Sequence, residues 1–248
     1  MSGHSKWSTI KRKKGALDAR RGKLFTKLIK EIAIAVKEGG STDPLNNPRL
    51  RLAVLNAKGA NMPKDNIERT IKKAAGADAS HYEEVSYEGY GTHGIAIIVD
   101  CLTDNINRTV SAIRSLFHKY GGSMGTKGSL EFIFDRKGIF TFNVPDDFNE
   151  EEFELTLIDA GAEDIEVEDN YITVTTLMED FGKVHKKLEE MNIETEIAEL
   201  QRIPKTTVQL SDDALLQVMK FVEALEDNDD VQKVYHNIGI KESQMSLV

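Results

Sequence analysis

The 248-residue chain is short of the residues that carry covalent or metal chemistry. A single cysteine, Cys101, excludes an internal disulfide and a thiolate metal cluster, and it points to a reducing compartment. Its setting, Ile97-Ile98-Val99-Asp100-Cys101-Leu102, is that of a small apolar strand residue rather than a nucleophile. No apolar run approaches the ~20 residues needed to cross a bilayer. The basic N-terminus lacks the apolar stretch of a secretory signal, so a soluble, cytoplasmic protein with no membrane partner is expected. The histidines His4, His81, His93, His118, His185 and His236 are scattered, and none pairs with another at metal-ligand spacing. No cofactor, metal or small-molecule substrate is expected.

Acidic residues are also scarce, but only in the first third. Residues 1–75 hold 18 Lys and Arg against 6 Asp and Glu, a balance of +12, whereas residues 76–248 hold 14 against 35, a balance of −21. The overall charge of −9 conceals a cationic segment able to neutralise phosphates.

Hydrophobic periodicity divides the chain further. Residues 1–20 show no apolar period and read as a basic arm. From Arg21 onward, Leu24, Leu28, Ile32 and Ala35 recur at helical spacing until Gly39-Gly40. Further helices are predicted at 48–60, carrying Leu52, Val54 and Leu55, and from Pro63 to Gly76, so that 21–79 forms a three-helix bundle.

The period then changes to two. Strands are predicted at 82–88, 95–102 and 129–134, with a helix at 105–120. Strand 139–144, helix 150–160, strands 164–168 and 171–176, helix 178–191 and strand 194–200 follow in the order βαββαβ, the ferredoxin-like arrangement. The last stretch, 207–210, 214–225 and 231–235, reads as βαβ and is too small to bury a core alone. The expected fold class is therefore α+β, with an N-terminal three-helix bundle and two α+β domains. A discontinuous domain comprises 80–137 and 204–248, and a ferredoxin-like domain, 138–203, is inserted into it through Arg136-Lys137-Gly138 and Ile203-Pro204-Lys205.

Gly89-Tyr90-Gly91-Thr92-His93-Gly94 spells the dinucleotide fingerprint, but a strand follows where a helix is required, so a hairpin turn is expected. Gly121, Gly122, Gly125 and Gly128 do not fit a phosphate loop and read as a flexible loop. The carboxylates around 146–154 read as a solvated helix face. An enzyme using an inter-domain cleft would have to draw on Asp104, Asn105 or His93, without a recognisable nucleophile.

The stronger signal is cationic. Lys6, Lys11, Arg12, Lys13, Lys14, Arg20, Arg21, Lys23, Lys27 and Lys30 are ten cations in thirty residues, opposed by Asp18 alone. Trp7 among them is suited to stacking on a base. Asn47-Pro48-Arg49-Leu50-Arg51 and Asn61-Met62-Pro63-Lys64-Asp65-Asn66 place cations at helix starts, where free backbone N–H groups favour phosphate. Capping explains the Pro and Asn there equally well. At Thr103-Asp104-Asn105-Ile106-Asn107-Arg108-Thr109, Asp104 or Asn105 caps a helix, which leaves Asn107 and Arg108 as contact candidates.

These segments, together with Gly3-His4-Ser5-Lys6-Trp7, Asp18-Ala19-Arg20-Arg21-Gly22-Lys23-Leu24-Phe25-Thr26-Lys27-Leu28 and the continuation Ile67-Glu68-Arg69, occur in order over essentially the whole length. They resemble the YebC family. The resemblance implies a three-domain cytoplasmic protein, generally described as a DNA-binding regulator of transcription. It also implies kinship with a mitochondrial translational activator of cytochrome oxidase subunit one, and with bacterial members linked to ribosomes stalled on proline-rich sequences. No catalytic residues carry over. The family's basic motif falls on Lys6, Trp7, Lys11, Arg12, Lys13, Lys14 and Arg20 through Lys23. One departure is Gly91-Thr92-His93-Gly94, where many relatives place Gly-Pro-Gly-Gly.

The expected function is a non-enzymatic regulator of gene expression whose partner is nucleic acid, either DNA or ribosomal RNA on the ribosome. A protein-binding adaptor is the alternative. The expected contact set is Lys6, Trp7, Lys11, Arg12, Lys13, Lys14, Arg20, Arg21, Lys23, Lys27, Arg49, Arg51, Lys64, Asn107 and Arg108.

Overall fold

The computed structural model describes residues 18–76, 81–145, 149–168 and 170–247, with side chains from Gly22 onward. Its architecture is α+β. Three helices open it: α1 (Asp18–Gly39), α2 (Pro48–Gly59) and α3 (Lys64–Ala74). Gly40, at φ 64°, ends α1 in the left-handed region that glycine enters without strain. Asn47 starts α2, accepting from the Leu50 amide at 3.0 Å and donating to Ala35 O at 2.8 Å and Ser41 O at 3.0 Å. The buried cap therefore also ties α2 to the end of α1. Contacts divide the chain into two units. One takes α1 through Ile34 with the described parts of 77–135 and 203–248, and the other takes 35–76 with 136–202. The N-terminal helices are thus shared between the units rather than packed only on each other.

In the first unit, β1 (Glu83–Tyr90), β2 (Ala96–Thr103), β3 (Ser123–Met124) and β9 (Val231–His236) form a sheet in the order β3-β1-β2-β9, every neighbouring pair antiparallel. Strand β2 is covered on both faces, as its near-continuous apolar sequence requires. Ile97, Val99 and Cys101 enter a core with Ile113 and Phe117 of α4 (Ile106–Lys119) and Leu215, Val218, Phe221 and Val222 of α7 (Asp212–Glu226). Ala96 and Ile98 pack with Leu130, Phe134 and Tyr235. Close approach fixes Gly89 on β1, since a Cβ there would lie 2.4 Å from Ser123 O.

Three expectations are corrected here. Residues 127–133 are turns and not the strand predicted at 129–134. The buried Glu88 carboxylate accepts the Gly128 and Leu130 amides, both at 2.7 Å, and removes them from any strand ladder. The glycine loop expected to be flexible is thereby held against β1, with Gly125 N donating to Glu88 O at 2.8 Å. The strand expected at 207–210 is reduced to β8 (Val208–Gln209), which pairs in parallel with β10 (Ile238–Gly239) and not with the larger sheet.

In the second unit, β4 (Phe134–Asn143), α5 (Glu150–Ala160), β5 (Ala162–Glu168), β6 (Tyr171–Leu177), α6 (Phe181–Glu190) and β7 (Ile197–Pro204) form a sheet in the order β5-β6-β4-β7. This is the ferredoxin-like order. Arg136-Lys137-Gly138, expected as a crossing between domains, lies within strand β4, and the division into units falls between Asp135 and Arg136. Phe140, Phe142, Ile172 and Val174 pack with Phe153 and Leu157 of α5 and Val184 and Leu188 of α6. Leu52 and Leu55 of α2 join the same core. The Asn56 side chain bonds reciprocally with Ala198 of β7 at 3.1 Å, and a Cβ at Gly59 would lie 2.1 Å from Glu196 O. Helix α2 is therefore built into this unit.

Candidate nucleic-acid interface

Lys23, Lys27 and Lys30 recur every three or four residues along α1, which puts them on one side of the helix. That side meets the acidic turn after α7. Lys23 Nζ lies 2.8 Å from Asp227 Oδ1, Lys27 Nζ donates to Glu226 O at 3.0 Å, and Lys30 Nζ lies 3.0 Å from Asp230 Oδ1. The Lys23 pair is exposed and contributes little. The Lys30–Asp230 pair is different, because both side chains are only 10% exposed. Lys30 also donates to Asp229 O at 2.7 Å and Leu102 O at 3.3 Å, and it lies 5.6 Å from the centroid of the Tyr82 ring.

Asp230 gathers further donors. Arg108 Nη2 approaches it at 2.9 Å and Thr109 Oγ1 at 2.8 Å. Burial alone would raise the Asp230 carboxyl, but hydrogen bonds from Arg108, Lys30 and Thr109 and the charge of Lys30 outweigh that cost and hold it down at about 2. A break in register between Asp100 and Cys101 accompanies this arrangement, and Leu102 N donates to Asp230 O at 2.8 Å. The result is a fixed polar knot joining α1, β2, α4 and the residue before β9.

Arg108 thus has internal partners, including Asp104 at 2.7 Å. Asn105, not Asp104, caps α4, accepting the Arg108 amide at 3.0 Å. Asn107 is exposed in the first turn of α4. Arg49 pairs with Glu38. Arg51 donates to Pro44 O at 3.1 Å and Leu45 O at 2.9 Å, closing the loop before α2. Lys64 is 84% exposed and 3.6 Å from Glu68. Arg20 and Arg21 lie on α1 in the stretch whose side chains are not described. Lys6, Trp7, Lys11, Arg12, Lys13 and Lys14 fall outside the described residues.

Other exposed cations lie outside the expected contact set. Lys58 on α2 and Arg69, Lys72 and Lys73 on α3 are exposed, and no described residue pairs with them. The 69, 72, 73 spacing was the available signal, since it marks one side of a helix whose Ile67 is buried. Residues 35–76 carry eight Lys and Arg against four Asp and Glu.

The remaining motifs have structural roles. Gly89 to Gly94 forms the β1–β2 hairpin, as its following strand required. His93 sits at φ 60° in the turn, 3.4 Å from Gln217 Oε1. Cys101 is buried, and desolvation, reinforced by the charges of Asp100 and Asp230, pushes its thiol up to about 12.

Comparison with known proteins agrees with this architecture. Residues 5–77 match the TACO1/YebC protein N-terminal domain, and residues 82–238 match the TACO1/YebC second and third domain. A protein of Amoebophilus asiaticus named "Probable transcriptional regulatory protein" is 55% identical over 241 residues, covering 96% of this chain and 98% of its own. One of the same name from Treponema denticola is 51% identical over 243 residues, 98% of each chain. The crystal structure of a conserved hypothetical protein, Aq1575 of Aquifex aeolicus, superposes with a TM-score of 0.79 at 42% identity, covering 91% of this chain and 93% of that one. With both family segments matched in order and identity at this level across the full length, the chain belongs to the TACO1/YebC family.

Proposed function

We propose that the chain is a non-enzymatic regulator of gene expression that docks on nucleic acid through its N-terminal basic segment and the exposed cations of α2 and α3. The observation that carries this reading is the division of the cations into two sets. Lys23, Lys27, Lys30, Arg49, Arg51 and Arg108 are engaged by the protein's own acceptors. No described residue engages Lys58, Arg69, Lys72 or Lys73, and they share residues 35–76 with exposed Lys64. Lys6, Trp7, Lys11, Arg12, Lys13, Lys14, Arg20 and Arg21 extend the same basic character toward the N-terminus. The names of the relatives, probable regulators of transcription, agree in kind.

The balance of −21 over residues 76–248 bears on the target. A long duplex would meet repulsion from the acidic remainder, whereas a structured RNA can be approached from the basic end alone. This favours ribosomal RNA over an operator. The insertion of 138–203 between 80–137 and 204–248 belongs to the same reading. It is supported by one sheet drawing all four strands from 134–204 while the other takes strands from both sides.

The test is the salt dependence of binding, measured by anisotropy with a labelled RNA hairpin and a duplex DNA of equal length. If Arg69, Lys72 and Lys73 each contact a phosphate, replacing all three by Ala should reduce the log–log slope by about 2 on a single strand or about 2.7 on a duplex. Lys23→Ala should change it little. An unchanged slope in the triple variant refutes the docking face, and tighter sequence-selective binding to the duplex refutes the choice of RNA.

A further inference from the structure

Helix α3 has a second exposed side. Between it, α2 and the loop at Thr42 and Pro44 runs a groove of about 850 Å³, floored by Val54, Met62, Ile67 and Ile71. Lys58, Lys64 and Lys72 stand at its rim, with Glu68 the one acidic group lining it among the described residues. An apolar floor does not suit a phosphate backbone. Apolar anchors between basic margins suit an amphipathic helix with acidic flanks, laid in by residues one turn apart. At 100° per residue, Arg69 and Lys73 fall on another side of α3 from Ile67 and Ile71, while Lys58, Lys64 and Lys72 border both the groove and the proposed nucleic-acid face, so the two surfaces adjoin and share an edge.

The chain itself carries a helix of that description. Helix α5 has no basic residue, and its first turn is Glu150-Glu151-Glu152. Phe153 and Leu157 fill the core, while Leu155 and Ile158, three residues apart, are 60% and 55% exposed. Glu151, Glu152 and Asp159 flank them and are exposed as well. Two large aliphatic side chains facing water on one side of a helix mark a contact surface. Because Leu155 and Ile158 are exposed in their own fold, they do not fill their own groove.

We propose that the α2–α3 groove receives helix α5 of a second copy of the chain, Leu155 and Ile158 entering over Val54, Ile67 and Ile71 while Glu151, Glu152 and Asp159 face Lys58, Lys64 and Lys72. The two surfaces are different patches, so the contact is heterologous. Each copy offers a helix to one neighbour and a groove to another, and assembly proceeds head to tail.

Sedimentation velocity on the full chain, freed of nucleic acid by nuclease and high salt, tests this. The wild-type chain should associate between micromolar and near-millimolar concentration. A helix variant, Leu155→Glu with Ile158→Glu, and a groove variant, Lys64→Glu with Lys72→Glu, should each stay at one chain mass. All four positions are exposed, and unchanged circular dichroism would show that the fold is kept. Mixed together, the two variants should form a pair that stops at two chain masses, since only one intact groove and one intact helix remain between them. Wild-type protein that stays monomeric would overturn the proposal and leave the groove to an acidic helix of another protein. Association that survives in either variant, or a mixture that fails to pair, would overturn it as well.

Discussion

Replacing Asp230 by Asn tests whether the cations of α1 are structural. The substitution keeps the shape but removes the charge that Lys30, Arg108 and Thr109 share. Removing one partner of a buried pair costs about 3 to 5 kcal/mol. Here Lys30 keeps two carbonyl acceptors, Leu102 O and Asp229 O, and half-exposed Arg108 keeps Asp104. The expected loss is therefore about 2 to 3 kcal/mol. The carboxyl gives a second measure, because a fall from 3.8 to about 2 corresponds to roughly 2 kcal/mol, trimmed by screening on the Arg108 side. The folded-state value is depressed, so this stability is complete above pH 3.8 and is lost as pH falls through about 2. Two units need not unfold together, so the assay is hydrogen exchange of the β2 and β9 amides rather than a single melt. Asp230→Asn should speed exchange there and flatten the acid-dependent change below pH 4. Adding Lys30→Met should recover part of the loss, since no unpaired ammonium is then buried. A variant within about 0.5 kcal/mol of wild type, with the same acid slope, would refute the reasoning.

Three further outcomes follow from local geometry. Asn47→Ala removes the α2 cap and strips donors from Ala35 O and Ser41 O, and should cost about 2 to 3 kcal/mol, read as a lowered denaturation midpoint of the second unit. Glu88→Ala leaves the Gly128 and Leu130 amides without their acceptor, and those two amides should exchange much faster while α5 and α6 are unaffected. With its thiol near 12 and its side chain buried, Cys101 should resist iodoacetamide at pH 8 in the folded chain and react fully in denaturant, as mass spectrometry would show.

How much of this was legible in the sequence depends on how local the determinants are. The βαββαβ order could be read because alternation in strands such as Tyr171–Leu177 and the capped start of α5 are properties of a few adjacent residues. The strand expected at 129–134 was not local in that sense. Its amides are diverted by Glu88, some forty residues earlier, and no period within the segment records that acceptor. The same distinction governs the candidate interface. Counting charge marks out the basic third, but a count of cations contains no count of the acids that folding brings to them. Lys23, Lys27 and Lys30 meet residues 226–230, about 200 positions away, whereas Arg69, Lys72 and Lys73 sit on a helix side that meets no described acid. A cation already facing a carboxylate must exchange that partner for a phosphate, and the gain is then only the difference between two similar attractions. An unpaired cation exchanges only water and mobile ions. The second set should therefore dominate the salt dependence even though the first lies in the denser run of charge.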